Sequence, residues 1–273
     1  CGTRKTMSKG LPGQAPMPWV FQPARALLIL LVATGWLFMT IQCLELSMRG
    51  TVADAGPGMA LFAFLTPYFS GLQVLYSICV TQSVDWGVVD FAKALAMWQA
   101  MVLAMMVPTL LPGFQRQQRP FGPALRFVTF YLLAWLGFCL VAVGLQWLLR
   151  SAQILDAHMV STARVLNAAV LIFAGVFQLT GSKRRHLTAC QRSLHGAPGD
   201  RSAVQSGWTH GVQCVKCCWP LMLTMFVFGL MNLLAMAALT GLIVIEKTLT
   251  DAGWVVKSSG IAFILAGVVV ALV

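Results

Sequence analysis

The residues best suited to chemistry gather in one stretch, GWTHGVQCVKCCWPLMLTMFVFGLMNLLAMAALTGLIVIEK, residues 207–247. It opens with His210, Cys214, Cys217 and Cys218 and runs into an apolar segment carrying Met222, Met225, Met231 and Met236. On a helix advancing about 100° per residue, the first four side chains fall within a ~100° arc, on one face. Imidazole, thiolate and thioether form a soft donor set that suits Cu(I), with Zn²⁺ as the alternative, rather than Mg²⁺ or Ca²⁺. Lys216 lies between the cysteines in sequence, and a cation there would favour thiolates.

Two further groups bear on the same chemistry. Met97, Met101 and Met105 recur every four residues and line one face of a second apolar segment, with Met106 to the side. They could extend a thioether path into a bilayer or simply fill gaps between packed helices. His186 and Cys190 stand one helical turn apart in the basic segment GSKRRHLTACQRSLHGAPGDR, where they are either further ligands or incidental to an amphipathic headgroup helix.

These residues must be held by helices in a membrane. Of 273 residues 58% are hydrophobic and 10% charged, against about 25% charged in soluble domains. The expected fold is all-α, a polytopic transmembrane bundle of about six or seven spans. Apolar stretches at 24–46, 91–111, 125–149, 165–180 and 258–273 supply most of them. The 207–247 stretch supplies one kinked helix or a pair breaking near Gly229–Asn232. Tyr131, Trp135 and Trp147 read as interfacial anchors, and Asn232 as a costly intramembrane polar group.

Residues 1–23 read as a flexible cytoplasmic tail and 24–273 as one transmembrane domain. Segment 59–80, broken by Pro67, Ser70, Gly71 and Gln73, reads as re-entrant or interfacial, and 181–206 as a basic cytoplasmic loop. The net charge of +11 fits the positive-inside pattern and lipid headgroups. Arg4, Lys5 and Lys9, with Lys183, Arg184, Arg185, Arg192 and Arg201, place the N-terminus and the basic loop on the cytoplasmic side of a bacterial inner membrane. No basic stripe with interleaved aromatics suggests nucleic acid.

Three segments in order, MWQAMVLAMMVPTLLP, FQLTGSKRRHLTAC and HGVQCVKCCWPLMLTMFVFGLMNLLAMAALTGLIVIEK, resemble the bacterial family grouped as domain of unknown function 2182. Its members are described as metal-binding integral membrane proteins, and the resemblance spans residues 92–273. It implies that Met101, Met105, Met106 and Pro108 match a Met-Met-Pro element, and that Gln178 and Lys183 match a second. Cys214, Cys217, Cys218, Trp219, Met222, Met231, Asn232, Glu246 and Lys247 match a third. His186 stands where the family tends to carry a cysteine, and Lys216 where a small residue is expected.

Three functions compete. The first is Cu(I) handling by holding, delivery or transport, through a metal set of His210, Cys214, Cys217, Cys218, Met101, Met105, Met222, His186 and Cys190. The second is a non-catalytic structural or assembly subunit of a larger membrane complex, which could contain a copper enzyme. The third is a thiol oxidoreductase using Cys214 and Cys217, against which stands the lack of a thioredoxin-like βαβ pattern.

Overall fold

The computed structural model describes residues 23–49, 86–117, 120–155, 161–195, 202–249 and 253–272. The proposed 59–80 segment, almost all of the N-terminal tail and residues 196–201 of the basic loop lie outside them. The described residues are helical throughout, apart from turns and one isolated bridge between Leu155 and Ser161.

In chain order the helices are α1 (Pro23–Arg49), α2 (Val88–Met106), α3 (Leu111–Gln117), α4 (Phe121–Ser151) and α5 (Arg164–Leu179), then α6 (Gly181–His195), α7 (Ala203–Leu223), α8 (Met225–Phe228), α9 (Leu233–Thr248) and α10 (Gly253–Leu272). Pro108 does not end the second apolar segment. It tightens Val107–Leu110 into a 3-10 turn that joins α2 to α3, because proline removes one backbone donor and fits a tight first turn.

By length and composition five stretches can cross a bilayer: Pro23–Cys43, Val88–Gln115, Phe121–Ser151, Ala203–Phe228 and Gly253–Leu272. The pair α5 and α6, bent by 66°, would make a sixth. Six is the lower of the two expected counts; the seventh requires α9 as a separate crossing, and its 16 residues span only about 24 Å at 1.5 Å per residue.

The bundle is organised by a few close pairs. Helix α7 packs on α4, α10 on α5, and α1 on α2, while α6 also packs on α7 and α2 also meets α4 and α9. Between α2 and α4, the buried Trp98 indole donates to Gln146 Oε1 at 2.8 Å. The 207–247 stretch breaks twice. The first break is at Thr224, one turn after Pro220. The second is at Gly229, whose φ of 99° favours glycine. Asn232 then caps α9, its side chain accepting from Ala235 N at 2.9 Å. Asn232 is therefore a helix cap at a break rather than a stray polar group within a span.

Tyr131 and Trp135 are not interfacial anchors. Both are fully buried in the bundle core, whereas Trp147 is 42% exposed.

Candidate metal centre

Helix α7 begins at Ser202, whose hydroxyl accepts from Gln205 N at 3.2 Å. Its inward face carries Gly207, His210, Gly211, Cys214, Cys217, Cys218, Leu221 and Met222, all buried. The glycines bring this face onto α4. A Cβ at Gly207 would collide with the Phe127 carbonyl, and one at Gly211 would meet Ala134 Cβ at 2.7 Å and Tyr131 O at 3.0 Å. With the backbones so close, the Tyr131 hydroxyl reaches Cys214 Sγ at 3.1 Å and donates to the Met106 carbonyl at 3.4 Å.

Helix α6 closes the other side. Its amphipathic pattern turns Lys183, Leu187 and Cys190 inward and leaves Arg184, Arg185 and Arg192 exposed. Cys190 is a buried neighbour of Cys214 and Cys217, and Cys214 is a neighbour of Cys218. Cys217 and Cys218 have their sulfurs 3.2 Å apart. Four thiols from two helices thus form one buried cluster. His210 flanks it, with Nε2 3.9 Å from Cys190 Sγ and Nδ1 2.7 Å from Ser193 Oγ. Its ring also stacks against Phe127 and Tyr131 at centroid distances of 5.8 and 5.5 Å.

The cluster is bordered by ionic groups from α9. Lys247 donates to Cys214 Sγ at 2.8 Å. Beside it, Glu246 pairs with Lys183 at 2.7 Å, and Lys183 also donates to the Cys217 carbonyl at 3.1 Å. Gln178 of α5 and Ser259 of α10 donate to the other Glu246 oxygen. Gln191 of α6 caps the end of α9 by donating to the carbonyls of Glu246, Lys247 and Leu249. Five helices therefore meet at the Glu246–Lys247 dipeptide.

The donor set is chemically fit for a soft ion: thiols, an imidazole, and a buried cation that offsets thiolate charge. Among the described residues no group of three or more His, Cys, Asp or Glu is arranged so as to hold a metal ion. Thiol pairs are what the geometry offers. The 3.2 Å between Cys217 and Cys218 sulfurs is shorter than the roughly 3.8 Å that separates two sulfurs on a tetrahedral ion with bonds of about 2.3 Å. An ion held between those two sulfurs would require a small outward rotation of the side chains.

A family model described as PpoB2, copper chaperone, matches residues 95–270, well over half of the chain. The chain belongs to the PpoB2 copper chaperone family. No curated protein and no solved structure matches it. The range matched to the copper chaperone family runs from within α2 to within α10 and contains every residue of the cluster and its ionic border.

Of the metal set anticipated from sequence, Cys190, Cys214, Cys217 and Cys218 come together, with His210 against Cys190. His186 goes elsewhere: its Nδ1 pairs with Gln213 Oε1 at 2.9 Å, and no thiol is among its hydrogen-bond partners in the described residues. The rotation of α6 against α7 decides this: it turns Cys190 fully inward and leaves His186 on the half-buried flank. Met101, Met105 and Met222 are fully buried in the same hydrophobic core as the thiols. However, Met101 and Met105 lie on α2, which packs chiefly on α1, α4 and α9 rather than on α7. The cation beside the thiols is not Lys216, which faces outward and is exposed; it is Lys247. Lys183 likewise is not a headgroup cation but a buried partner of Glu246.

Composition and spacing alone did not place Tyr131, Lys183, Glu246 and Lys247 at the site, although the resemblance names the last three among its matching positions. A signal existed for the last two: adjacent charges closing a long apolar segment, where ionisable groups are costly and need partners.

Proposed function

We propose that this chain is a membrane-embedded copper chaperone that holds Cu(I) in the thiol cluster of Cys190, Cys214, Cys217 and Cys218 and passes it to a copper-requiring partner. The observation that carries this reading is the convergence of four thiols from α6 and α7 in a chain of the PpoB2 copper chaperone family. Copper is cargo here, and the role is non-catalytic. Soft thiolates suit Cu(I), and ligand exchange among close sulfurs lets an ion move without leaving sulfur coordination. His210, adjacent to Cys190, is the first candidate for a further ligand.

The exposed arginines of α6 support an orientation in which this helix lies at the cytoplasmic headgroups of an inner membrane. In that orientation the buried cluster lies on the cytoplasmic side of the bundle.

The test is competition for Cu(I) against a chromogenic chelator, using detergent-purified protein. Cys190→Ser and Cys217→Ser, on different helices, should each weaken binding by about tenfold or more. Cys139→Ser, distant in the chain and bonded to Gln99, should leave it unchanged. Equal affinity in all three variants and the parent would refute the cluster as the copper site.

A further inference from the structure

Three charged side chains are buried among the described residues: Lys183, Glu246 and Lys247. Their charges do not cancel. Lys183 and Glu246 form a neutral pair, and Gln178 and Ser259 occupy the remaining carboxylate oxygen. Lys247 is left over. Its hydrogen-bond partner is Cys214 Sγ at 2.8 Å, one of the four buried thiols. An uncompensated ammonium in an apolar interior is costly, so one negative charge on the sulfur cluster is what makes this interior neutral.

We infer that Lys247 is a specificity-determining counter-cation that matches the thiol cluster to a monovalent soft ion. The inference rests on the reading that the thiols bind metal. A monovalent ion held by two thiolates, whose protons leave to water, carries one negative charge, and Lys247 cancels it. A divalent ion held by the same two thiolates is neutral, which leaves Lys247 unbalanced. Three thiolates would restore the balance for a divalent ion. Among the described residues, though, no group of three or more His, Cys, Asp or Glu is arranged to hold one. Lys216 does not alter this count, because it is exposed on the far side of α7.

The position of Lys247 is fixed from three directions. Its backbone belongs to the last turn of α9, next to the Lys183–Glu246 pair, and Gln191 of α6 caps the carbonyls on both sides of it. The ammonium is thus held against the sulfurs rather than free to snorkel outward.

The experiment compares Cu(I) and Zn²⁺ affinities, each by chelator competition, in the parent protein, Lys247→Met, Lys247→Gln and Lys247→Arg. Removing the charge should reduce the Cu(I)-to-Zn²⁺ affinity ratio by about tenfold or more, chiefly through weaker Cu(I) binding. Lys247→Arg, which restores a positive charge, should return the ratio toward the parent value. Lys247→Gln keeps a polar tip and reports the same loss if Lys247→Met does not fold. An unchanged ratio in the neutral variants overturns the counter-cation role while leaving copper binding intact. If the parent protein binds neither ion, the thiol cluster itself is not a metal site and the inference falls with it.

Discussion

The smallest unit of the account is a sulfur atom with its neighbours. Cys214 is bonded to Tyr131 and Lys247 and neighbours Cys190 and Cys218, so its variants disturb several interactions at once, whereas its neighbours can be probed singly. Tyr131→Phe removes one hydrogen bond to Cys214 and one to the Met106 carbonyl. It should cost about 1 kcal/mol of stability and weaken Cu(I) binding only a few-fold, as read by thermal unfolding and chelator competition. Lys183→Met leaves Glu246 buried without its ion-pair partner. This should cost about 3–5 kcal/mol, much of it regained in Lys183→Met/Glu246→Met, where both charges are gone. A double variant as unstable as the single one would show that the pair does not act as a unit. His186→Ala, which removes the hydrogen bond to Gln213 and no thiol contact among the described residues, should leave Cu(I) affinity unaltered.

At the scale of elements, the site depends on how closely α7 approaches α4. Gly211→Leu would force the helices apart at Tyr131 and Ala134, so both stability and Cu(I) affinity should fall, overpacking alone costing about 1–3 kcal/mol. Asn232→Ala removes the cap of α9 and should cost about 1 kcal/mol with Cu(I) affinity retained, because the cap lies at the opposite end of α9 from Lys247. A matching loss of affinity would mean that the site depends on the register of the whole of α9.

This scale also separates what the chain reveals from what it conceals. The one-face clustering of His210, Cys214, Cys217 and Cys218 is local, set by helical periodicity within α7, and the structure keeps it. The 3.6-residue period also indicates that Cys190 can face inward from α6. Whether His186 goes with it depends on the rotation of α6 against α7, which no local pattern specifies. Lys216 and Lys247 make the same point in reverse. A neighbour in sequence faces away, and a residue some 30 positions on supplies the cation, because adjacent helix positions diverge by about 100° while packing unites distant ones. The anchoring role expected for Tyr131 fails for a related reason: an aromatic with a polar tip suits a headgroup region and a buried hydrogen bond equally well.

At the scale of the whole molecule, the all-helical bundle was legible from composition and apolar runs, since a bilayer admits few alternatives. The number of crossings was less so, because it depends on the bend between α5 and α6 and on the shortness of α9. The arginine face of α6 gives this scale its own test. Arg184, Arg185 and Arg192 share the outward face of α6 with Gly181, Thr188 and Ala189. Replacing the three arginines by glutamine should reduce co-sedimentation of the detergent-reconstituted protein with anionic relative to zwitterionic lipid, each cation contributing about 1 kcal/mol near such a surface. Cu(I) affinity should stay unchanged, since the thiols face the other way.

The account stands or falls on copper in the sulfur cluster. The decisive measurement is copper content together with Cu K-edge X-ray absorption on protein purified without chelator. A variant with serine at Cys190, Cys214, Cys217 and Cys218 provides the comparison. About one Cu(I) per chain in a sulfur-dominated, low-coordinate environment is expected, absent from the variant. Copper retained by the variant, or a nitrogen- and oxygen-dominated environment in the parent, would contradict it.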